Sequence, residues 1–243
     1  MNHKLQDIFT FLLNNRKYNF DLQTRYYESI LLPYVDKRER LIVLLYNIAN
    51  TQSQPNIDKL ASFYKMIHKD LKCLESFERF VNFLYPNNEP NFKNLFKGLE
   101  NQSGWGSKTA ALFVKTIYHL HNGNYNAKLK IWDDVPQIIG TTDKLFLPVD
   151  TVIITIFNRI YNVTNCSFSS INKLLQNNYS FEQIEVWDDL WFWGFISQNG
   201  TGIIRDFEWN ENKYWILKES DKNPNLIVEL KGKVEEFLSI LNS

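Results

Sequence analysis

The chain has 243 residues, of which 44% are hydrophobic, 22% charged and 15% aromatic, a composition typical of a globular protein with a large core. Lysine and arginine together number 27, as do aspartate and glutamate, and this zero net charge does not favour a protein that binds nucleic acid over its whole surface. With 9 glycines and 7 prolines, a β-sandwich with many turns is disfavoured.

The two cysteines, Cys73 and Cys166, are far apart and belong to no CxxC pair. This excludes a disulfide scaffold, a cysteine zinc site and a four-cysteine iron–sulfur cluster. The apolar run within the first twenty residues is too short and too interrupted for a signal peptide or a membrane-spanning helix. We therefore expect a cytoplasmic protein.

Along the chain, apolar residues recur every three or four positions, which predicts helices rather than strands. The fold class predicted is all-α. The segment Lys213–Leu217 is the strongest exception to the pattern, and its sequence does not decide between helix and strand. The predicted helices centre on Leu5–Leu13, Leu41–Ile48, Ile57–Ile67, Phe77–Leu84, Phe92–Leu99, Ala111–Tyr118 and Leu230–Leu241.

Tryptophans are concentrated towards the C-terminal end of the chain. Two interpretations remain open: a core packed around aromatic rings, or a pocket in which one or two rings stack on a flat base. The tryptophans concerned are Trp187, Trp191, Trp193, Trp209 and Trp215.

A glycine-rich turn separates two predicted helices at residues 104–110, GWGSKTA. Glycine permits positive φ and a close approach of the backbone to another surface. The N–H groups that open the second helix can bind phosphate without reading sequence. The alternative is a tight turn with no ligand. If the turn binds DNA backbone, the residues expected to do so are Gly104, Trp105, Gly106, Ser107 and Thr109.

The segment Asn91–Lys130 carries a local excess of positive charge. It contains six lysines and a single acidic residue, Glu100, so that 6 − 1 gives +5. Such a surplus is suited to a phosphate-binding surface even in a neutral protein, although a solvated helix face explains it equally well.

A second motif, LPVDTV at residues 147–152, places Asp150 42 positions after Lys108 and is followed by FNRI at 157–160. Together with the GWGSKTA turn, it resembles the signature of the helix-hairpin-helix DNA glycosylases, the superfamily of endonuclease III and the 8-oxoguanine glycosylases. The resemblance covers about residues 92–200.

The resemblance implies two helical lobes with the active site in the cleft between them. One lobe would span residues 37–147 and carry the hairpin at about 92–121; the other would combine 1–36 with 148–243. It further implies a base-excision-repair glycosylase with abasic-site (AP) lyase activity, acting as a monomer on double-stranded DNA that contains a damaged base.

The resemblance assigns catalysis to Lys108 as nucleophile and Asp150 as the adjacent carboxylate. A lysine amine attacks only when deprotonated, which a desolvated, cationic cleft encourages. Asp150 precedes an apolar helical run, so we also expect it to cap that helix; a helix N-terminus keeps a carboxylate ionised.

The sequence departs from the endonuclease III pattern at the metal cluster. Gln198 stands where the first cluster cysteine would be, and no later cysteine follows. We expect no iron–sulfur cluster, no other metal and no cofactor. Residues 119–146 resemble an insertion, within which Asp133 and Asp134 are expected to cap a helix that begins near Pro136.

Several residues are expected to contact the flipped nucleotide. Asn50 or Gln52 could fill the gap left in the duplex, although a simple helix end is an equal alternative; Trp191, Phe195 and Gln198 could line the base pocket. A fused-ring base gains most from stacking on aromatic rings, which favours an oxidised purine such as 8-oxoguanine. The alternatives are a monofunctional alkylbase or mismatch glycosylase, and a non-catalytic helix-hairpin-helix DNA-binding protein.

Overall fold

A computed structural model describes residues 3–202, 204–217 and 223–243. These residues are mostly helical with one small sheet, which is compatible with an all-α class. The chain divides into two compact units: unit 1 comprises Met1–Arg25 and Val149–Ser243, and unit 2 comprises Tyr26–Pro148. The first division lies inside the helix Arg16–Leu31 (α2), whereas the sequence analysis places it before Lys37.

Unit 2 is built from short amphipathic helices that begin at polar caps. Asp36, Asn56, Ser76 and Asn91 each accept hydrogen bonds from first-turn N–H groups, which otherwise lack partners. The helices are Lys37–Ala49 (α3), Ile57–Lys69 (α4), Phe77–Leu84 (α5), Phe92–Glu100 (α6) and Ser107–Asn122 (α7), with 3-10 turns at Leu71–Leu74 and Ala127–Leu129.

The core of unit 2 is aromatic. The Trp132 ring lies 5.7 Å from Phe77 and 5.4 Å from Phe80, centroid to centroid, and its indole N–H donates to the Leu74 carbonyl over 2.9 Å. Helices α5 and α6 cross closely at Gly98, where a Cβ would come within 2.8 Å of Leu84 Cβ.

The long segment after α7 supplies caps to other helices. Asp134 accepts from the N–H groups of Phe77 and Glu78 at the start of α5, and Asp143 accepts from those of Phe92 and Lys93 at the start of α6. The prediction of a helix that begins near Pro136 was wrong, because the described residues 130–150 contain no helix. Of the two carboxylates expected to cap it, Asp134 caps α5 instead, and Asp133 accepts from the Lys37 ammonium over 2.7 Å.

Unit 1 contains the remaining helices and the sheet. The helices are His3–Asn14 (α1), the first part of α2, Thr151–Tyr161 (α8), Phe168–Asn178 (α9), Phe181–Trp187 (α10), Leu190–Ile196 (α11), Glu211–Ile216 (α12) and Pro224–Asn242 (α13). The sheet is an antiparallel pair, Gln198–Thr201 (β1) and Ile204–Phe207 (β2), in which Gln198 faces Phe207. Most of Lys213–Leu217, the segment that the sequence left undecided between helix and strand, is helical and belongs to α12.

Two tryptophans form the centre of unit 1. Trp187 and Trp193 are fully buried; Phe9 lies 6.0 Å from Trp187, and Phe11 lies 5.0 Å from Trp193. For these two the core interpretation is confirmed. None of the described helices has both the length and the apolar character needed to cross a membrane.

Candidate functional site

The predicted hairpin is formed by α6, the turn 101–106 and α7, all within unit 2. Gly104 adopts a φ of +84°, and a Cβ there would lie 2.8 Å from the backbone nitrogen of Leu60. Only glycine meets both conditions without strain. Gly104 therefore sets the turn against α4.

The N-terminus of α7 is open. Its N-cap residue is Gly106, and no side chain caps the helix. A Cβ at Gly106 would meet nothing within 4 Å, and its φ is −121°, so the fold does not require glycine here. Uncapped N–H groups at the end of a sixteen-residue helix, together with the helix dipole, can bind an anion.

Lys108 is the second residue of α7 and is partly exposed. The described residues of unit 2 include no hydrogen-bond or ion-pair partner of its amine. Thr109, the next residue, is buried. This end of the helix therefore presents the side chains of Ser107 and Lys108, of which Lys108 is the cation.

The Trp105 side chain belongs to the core of unit 2. It is 6% exposed and packs against Phe63 and Phe113, with ring centroids 5.4 and 6.1 Å away. The indole anchors the turn, and any contact of Trp105 with DNA backbone would be made by its main chain. The same holds for the buried Thr109.

A carboxylate lies on the hairpin. Glu100 accepts from the Ser107 hydroxyl over 2.6 Å and from the Lys97 ammonium over 2.9 Å. Ser107, an expected DNA-backbone ligand, is thus bound to an acidic group at the end of α6. Glu100, the single acidic residue of the segment Asn91–Lys130, thus lies next to the expected phosphate site and pairs with one of the segment's lysines.

The loop after α3 forms a hydrogen bond with the turn of the hairpin. The Gln52 side-chain amide donates to the Gly104 carbonyl over 3.2 Å. Asn50, in contrast, is exposed and ends α3 through its backbone N–H. Of the two residues expected to enter the duplex, Asn50 is the one whose side chain projects into solvent.

Asp150 caps α8, as predicted. Its Oδ1 accepts from the N–H of Ile153 over 3.0 Å. Its second oxygen, Oδ2, accepts from the indole N–H of Trp191 over 3.1 Å. Both carboxylate oxygens are therefore held, one by α8 itself and one by α11.

Close packing of α11 on α8 places Trp191 beside Asp150. At Gly194, a Cβ would come within 2.5 Å of Ile156 Cδ1 and 2.8 Å of Val152 Cγ1. The side chain of Gln198 is completely buried and donates to the Val152 carbonyl over 3.3 Å. The amide nitrogen of Gln198 thus links β1 to α8, whereas its side-chain oxygen has no hydrogen-bond partner among the described residues.

Trp191 and Phe195 form an aromatic pair on α11. Their rings are stacked, with centroids 5.0 Å apart and planes 13° apart, and both are partly exposed. The Lys213 ammonium lies 5.3 Å from the Phe195 centroid, a cation–π contact. Burial, followed by the charge of Arg205, lowers the pKa of Lys213.

Lys108 belongs to unit 2 and Asp150 to unit 1. The chemistry available is an unpaired amine at an anion-binding helix end and a carboxylate fixed at both oxygens. Among the described residues, no group of three or more His, Cys, Asp or Glu side chains could hold a metal ion.

Comparison of the chain with protein-family models, curated proteins and solved structures gave no match. Three features of the site were missed by the sequence analysis: the hydrogen bond from Ser107 to Glu100, the close packing at Gly194, and the indole N–H of Trp191 as a donor to Asp150. A signal existed for Gly194, because a lone glycine among the large side chains of LWFWGFI marks a close approach of backbone.

Proposed function

We propose that the protein is a DNA glycosylase with AP lyase activity. The observation that carries the proposal is the open N-terminus of α7, at which Lys108 follows an uncapped, unobstructed Gly106. A phosphate held by the first-turn N–H groups would bring a sugar within reach of a lysine on the same turn. The carboxylate of Asp150, both of whose oxygens accept hydrogen bonds, supports the same proposed function.

In the proposed reaction the damaged nucleotide is flipped out of the duplex, at a cost of a few kcal/mol in stacking and pairing. Asp150 stabilises the positive charge that develops at C1′. The neutral amine of Lys108 forms a bond to C1′ as the glycosidic bond breaks, and the base leaves with the bonding pair and takes up a proton.

Strand cleavage follows from the covalent intermediate. The amine nitrogen gives up one proton; the C1′–O4′ bond then breaks, O4′ takes up a proton, and the nitrogen, which keeps its other hydrogen, forms a protonated Schiff base with C1′. Loss of a C2′ proton then drives cleavage of the C3′–O bond, so that the 3′ phosphate leaves by β-elimination. No metal or redox cofactor is needed to balance these steps.

The proposed DNA contacts follow from exposure. The main-chain N–H groups of residues 106–109 would hold phosphate. Asn50 is the preferred group for the gap in the duplex, since Gln52 is hydrogen-bonded to Gly104. The base would stack on the face of Trp191 or Phe195 that the other ring does not cover. Stacking contributes about 1–3 kcal/mol per base and favours an oxidised purine such as 8-oxoguanine most.

Borohydride trapping tests the proposal. The wild type is incubated with duplexes that each carry one lesion or one abasic site, and is then reduced; we expect a covalent protein–DNA adduct. Lys108→Gln should abolish the adduct, whereas Lys93→Gln, which removes an exposed lysine of α6, should retain it.

The other outcomes identify the alternatives. Base release without trapping would indicate a monofunctional glycosylase. Binding without base release or trapping on any lesion would indicate a non-catalytic DNA-binding protein. An adduct that persists in Lys108→Gln would show that another amine is the nucleophile.

A further inference from the structure

The geometry points to Trp191 as a positioning residue for Asp150: its indole N–H fixes the direction of the carboxylate, and its ring is partly exposed. The hydrogen bond itself belongs to unit 1 alone. Its catalytic consequence rests on the proposed function.

The two hydrogen bonds to Asp150 have different effects on the carboxylate. The bond from the Ile153 N–H to Oδ1 ties the group to its own helix, as an N-cap does, but a single anchor leaves the plane of the carboxylate free to turn. The bond from Trp191 to Oδ2 comes from a different helix. Two anchors on two oxygens define the plane.

The indole is itself held in place. Gly194 allows α11 to lie directly on Val152 and Ile156 of α8, and this sets the height of Trp191 relative to Asp150. The stack with Phe195 sets the tilt of the ring. The donor is therefore preorganised by packing and does not depend on the carboxylate for its orientation.

The tryptophans of this region differ in the hydrogen bonds of their indole N–H groups. Trp187 and Trp193 are completely buried, and their indole nitrogens have no hydrogen-bond partner among the described residues. Trp191 is partly exposed, so water could satisfy its N–H. The Trp191 indole, which could have used solvent, instead donates to the proposed catalytic carboxylate.

The chemical consequence concerns a developing cation. A carboxylate that is already oriented stabilises positive charge at C1′ without reorganising as the base departs, which is where fixed groups contribute most to rate. Because the indole N–H lies on the ring edge, the bond leaves the ring face that Phe195 does not cover. One side chain can thus hold the carboxylate by its edge and carry the base on its face.

The first test separates these two roles. Trp191→Phe keeps an aromatic ring to stack on and removes the donor. We expect the single-turnover rate of base excision to fall about tenfold or more, the usual scale for losing a hydrogen bond to a charged group, while the dissociation constant for lesion DNA changes by less than about twofold. Weaker lesion binding with an unchanged rate would overturn the positioning role.

The matched control is Trp215→Phe. The Trp215 indole also donates to a carboxylate, Glu211, over 3.1 Å, but within α12 and on an exposed side chain. We expect neither its rate nor its affinity to change. A loss equal to that of Trp191→Phe would show a general effect of removing tryptophan and would overturn the assignment.

The second test does not use activity. In the free protein, hydrogen exchange of the Trp191 indole is followed by NMR in the wild type and in Asp150→Ala, with the Trp215 indole as reference. We expect exchange at Trp191 to accelerate at least about tenfold, the factor that a bond of about 1.4 kcal/mol provides. Unchanged exchange would overturn the inference even if the enzyme is active. If no lesion is excised but exchange accelerates, the proposed function fails and the bond stands.

Discussion

The side-chain amide of Gln52 donates a hydrogen bond to the carbonyl of Gly104, over 3.2 Å. The loop after α3 thereby supports the turn of the hairpin at the residue whose φ is +84°. Gln52, one of the two residues expected to enter the duplex, thus forms a hydrogen bond with the hairpin that is proposed to bind the DNA backbone.

Replacing Gln52 by leucine should weaken binding to undamaged and lesion duplex by the same factor. The hydrogen bond from Gln52 supports the hairpin, and the proposed hairpin contacts are to the DNA backbone, so the loss of affinity should not depend on the base. We expect the affinity to fall about five- to tenfold, the scale of one hydrogen bond. Fluorescence anisotropy on the two duplexes measures it. Gln54→Leu, an exposed position of the same loop, should change neither. A loss confined to lesion DNA would instead identify Gln52 as the residue that enters the duplex.

The two glycines of the turn should respond differently to substitution. Gly106→Val places its side chain in open space, so the free energy of unfolding should change by less than about 1 kcal/mol, the scale of an N-cap exchange. DNA affinity should nevertheless fall, because the side chain obstructs phosphate. Denaturant unfolding and anisotropy measure the two effects.

Gly104→Ala is the complementary control. Positive φ and the contact with the Leu60 nitrogen should together cost about 2 kcal/mol or more. Gly106→Val with wild-type affinity and an intact fold would exclude the hairpin as a phosphate contact.

Glu100→Gln should strengthen DNA binding. The substitution keeps an acceptor for Ser107 and frees Lys97 from its ion pair. If Lys97 then contacts a phosphate, the salt dependence of log K should steepen by about 0.9. Titrations over a salt series measure this slope.

Glu236→Gln is the matched control, since Lys233 and Glu236 form an ion pair of the same i,i+3 type on α13. Glu236→Gln changes the net charge by the same amount as Glu100→Gln, at a position distant in sequence from the hairpin. Equal effects of the two variants would mean that charge alone, rather than the hairpin, governs affinity.

Gly194→Ala should both destabilise unit 1 and slow base excision. The added Cβ would overlap Ile156 Cδ1 and Val152 Cγ1, which forces α11 away from α8 at a cost of about 1–3 kcal/mol and draws Trp191 away from Asp150. Thermal unfolding and single-turnover rates measure the two effects. Adding Ile156→Val, which removes the overlapping Cδ1, should restore part of each.

The control for that pair is Gly232→Ala in α13, where a Cβ meets nothing within 4 Å. It should stabilise the protein by about 0.5–1 kcal/mol and leave excision unchanged. If Gly194→Ala behaved in the same way, α8 and α11 would not be in the close contact described.

Stability should depend on His121 in mildly acidic solution. Burial, followed by the charge of Lys130, lowers the pKa of His121 to about 4, and its Nε2 accepts from the Ile131 N–H. An unfolded histidine takes up a proton below about pH 6.5, whereas the folded one does so only near 4. The free energy of unfolding should therefore fall as the pH falls through this window, by at most about 1.4 kcal/mol per pH unit.

His121→Gln keeps an acceptor and removes the titration, so its unfolding free energy should vary less with pH than that of the wild type. Burial also raises the pKa of Asp189 to about 7, which gives the opposite slope between about pH 4 and 7, but both proteins share this group and the difference cancels it. His68→Gln, at an exposed position, is the control. Parallel curves for wild type and His121→Gln would contradict the prediction.

Local features of the fold could be predicted because they depend on neighbours in sequence. Apolar periodicity located seven of the described helices, and the order Pro148, Val149, Asp150 before an apolar run identified Asp150 as a cap. The hairpin helices followed from the same signals. The segment Asn199–Gly202, which contains two glycines, could also have been interpreted as part of a hairpin, but the helical pattern around it obscured this.

Features that depend on distant residues could not be predicted. The GxG pattern treats Gly104 and Gly106 alike, and only the position of Leu60 makes the first one indispensable. Burial of Trp105 follows from packing against Phe63 and Phe113, which periodicity does not specify. The capping of α5 and α6 by Asp134 and Asp143 joins positions 57 and 51 residues apart.

The division of the chain also bears on the order in which it can fold during synthesis. Unit 2 is continuous, and it becomes complete once Pro148 has emerged from the ribosome, shortly after Asp143, which caps α6. Helix α1 packs against α13, where the Lys4 ammonium reaches the Leu241 carbonyl across 237 positions. The apolar face of α1 therefore remains without its partner throughout translation of unit 2, and it is the nascent segment that we expect a chaperone to shield.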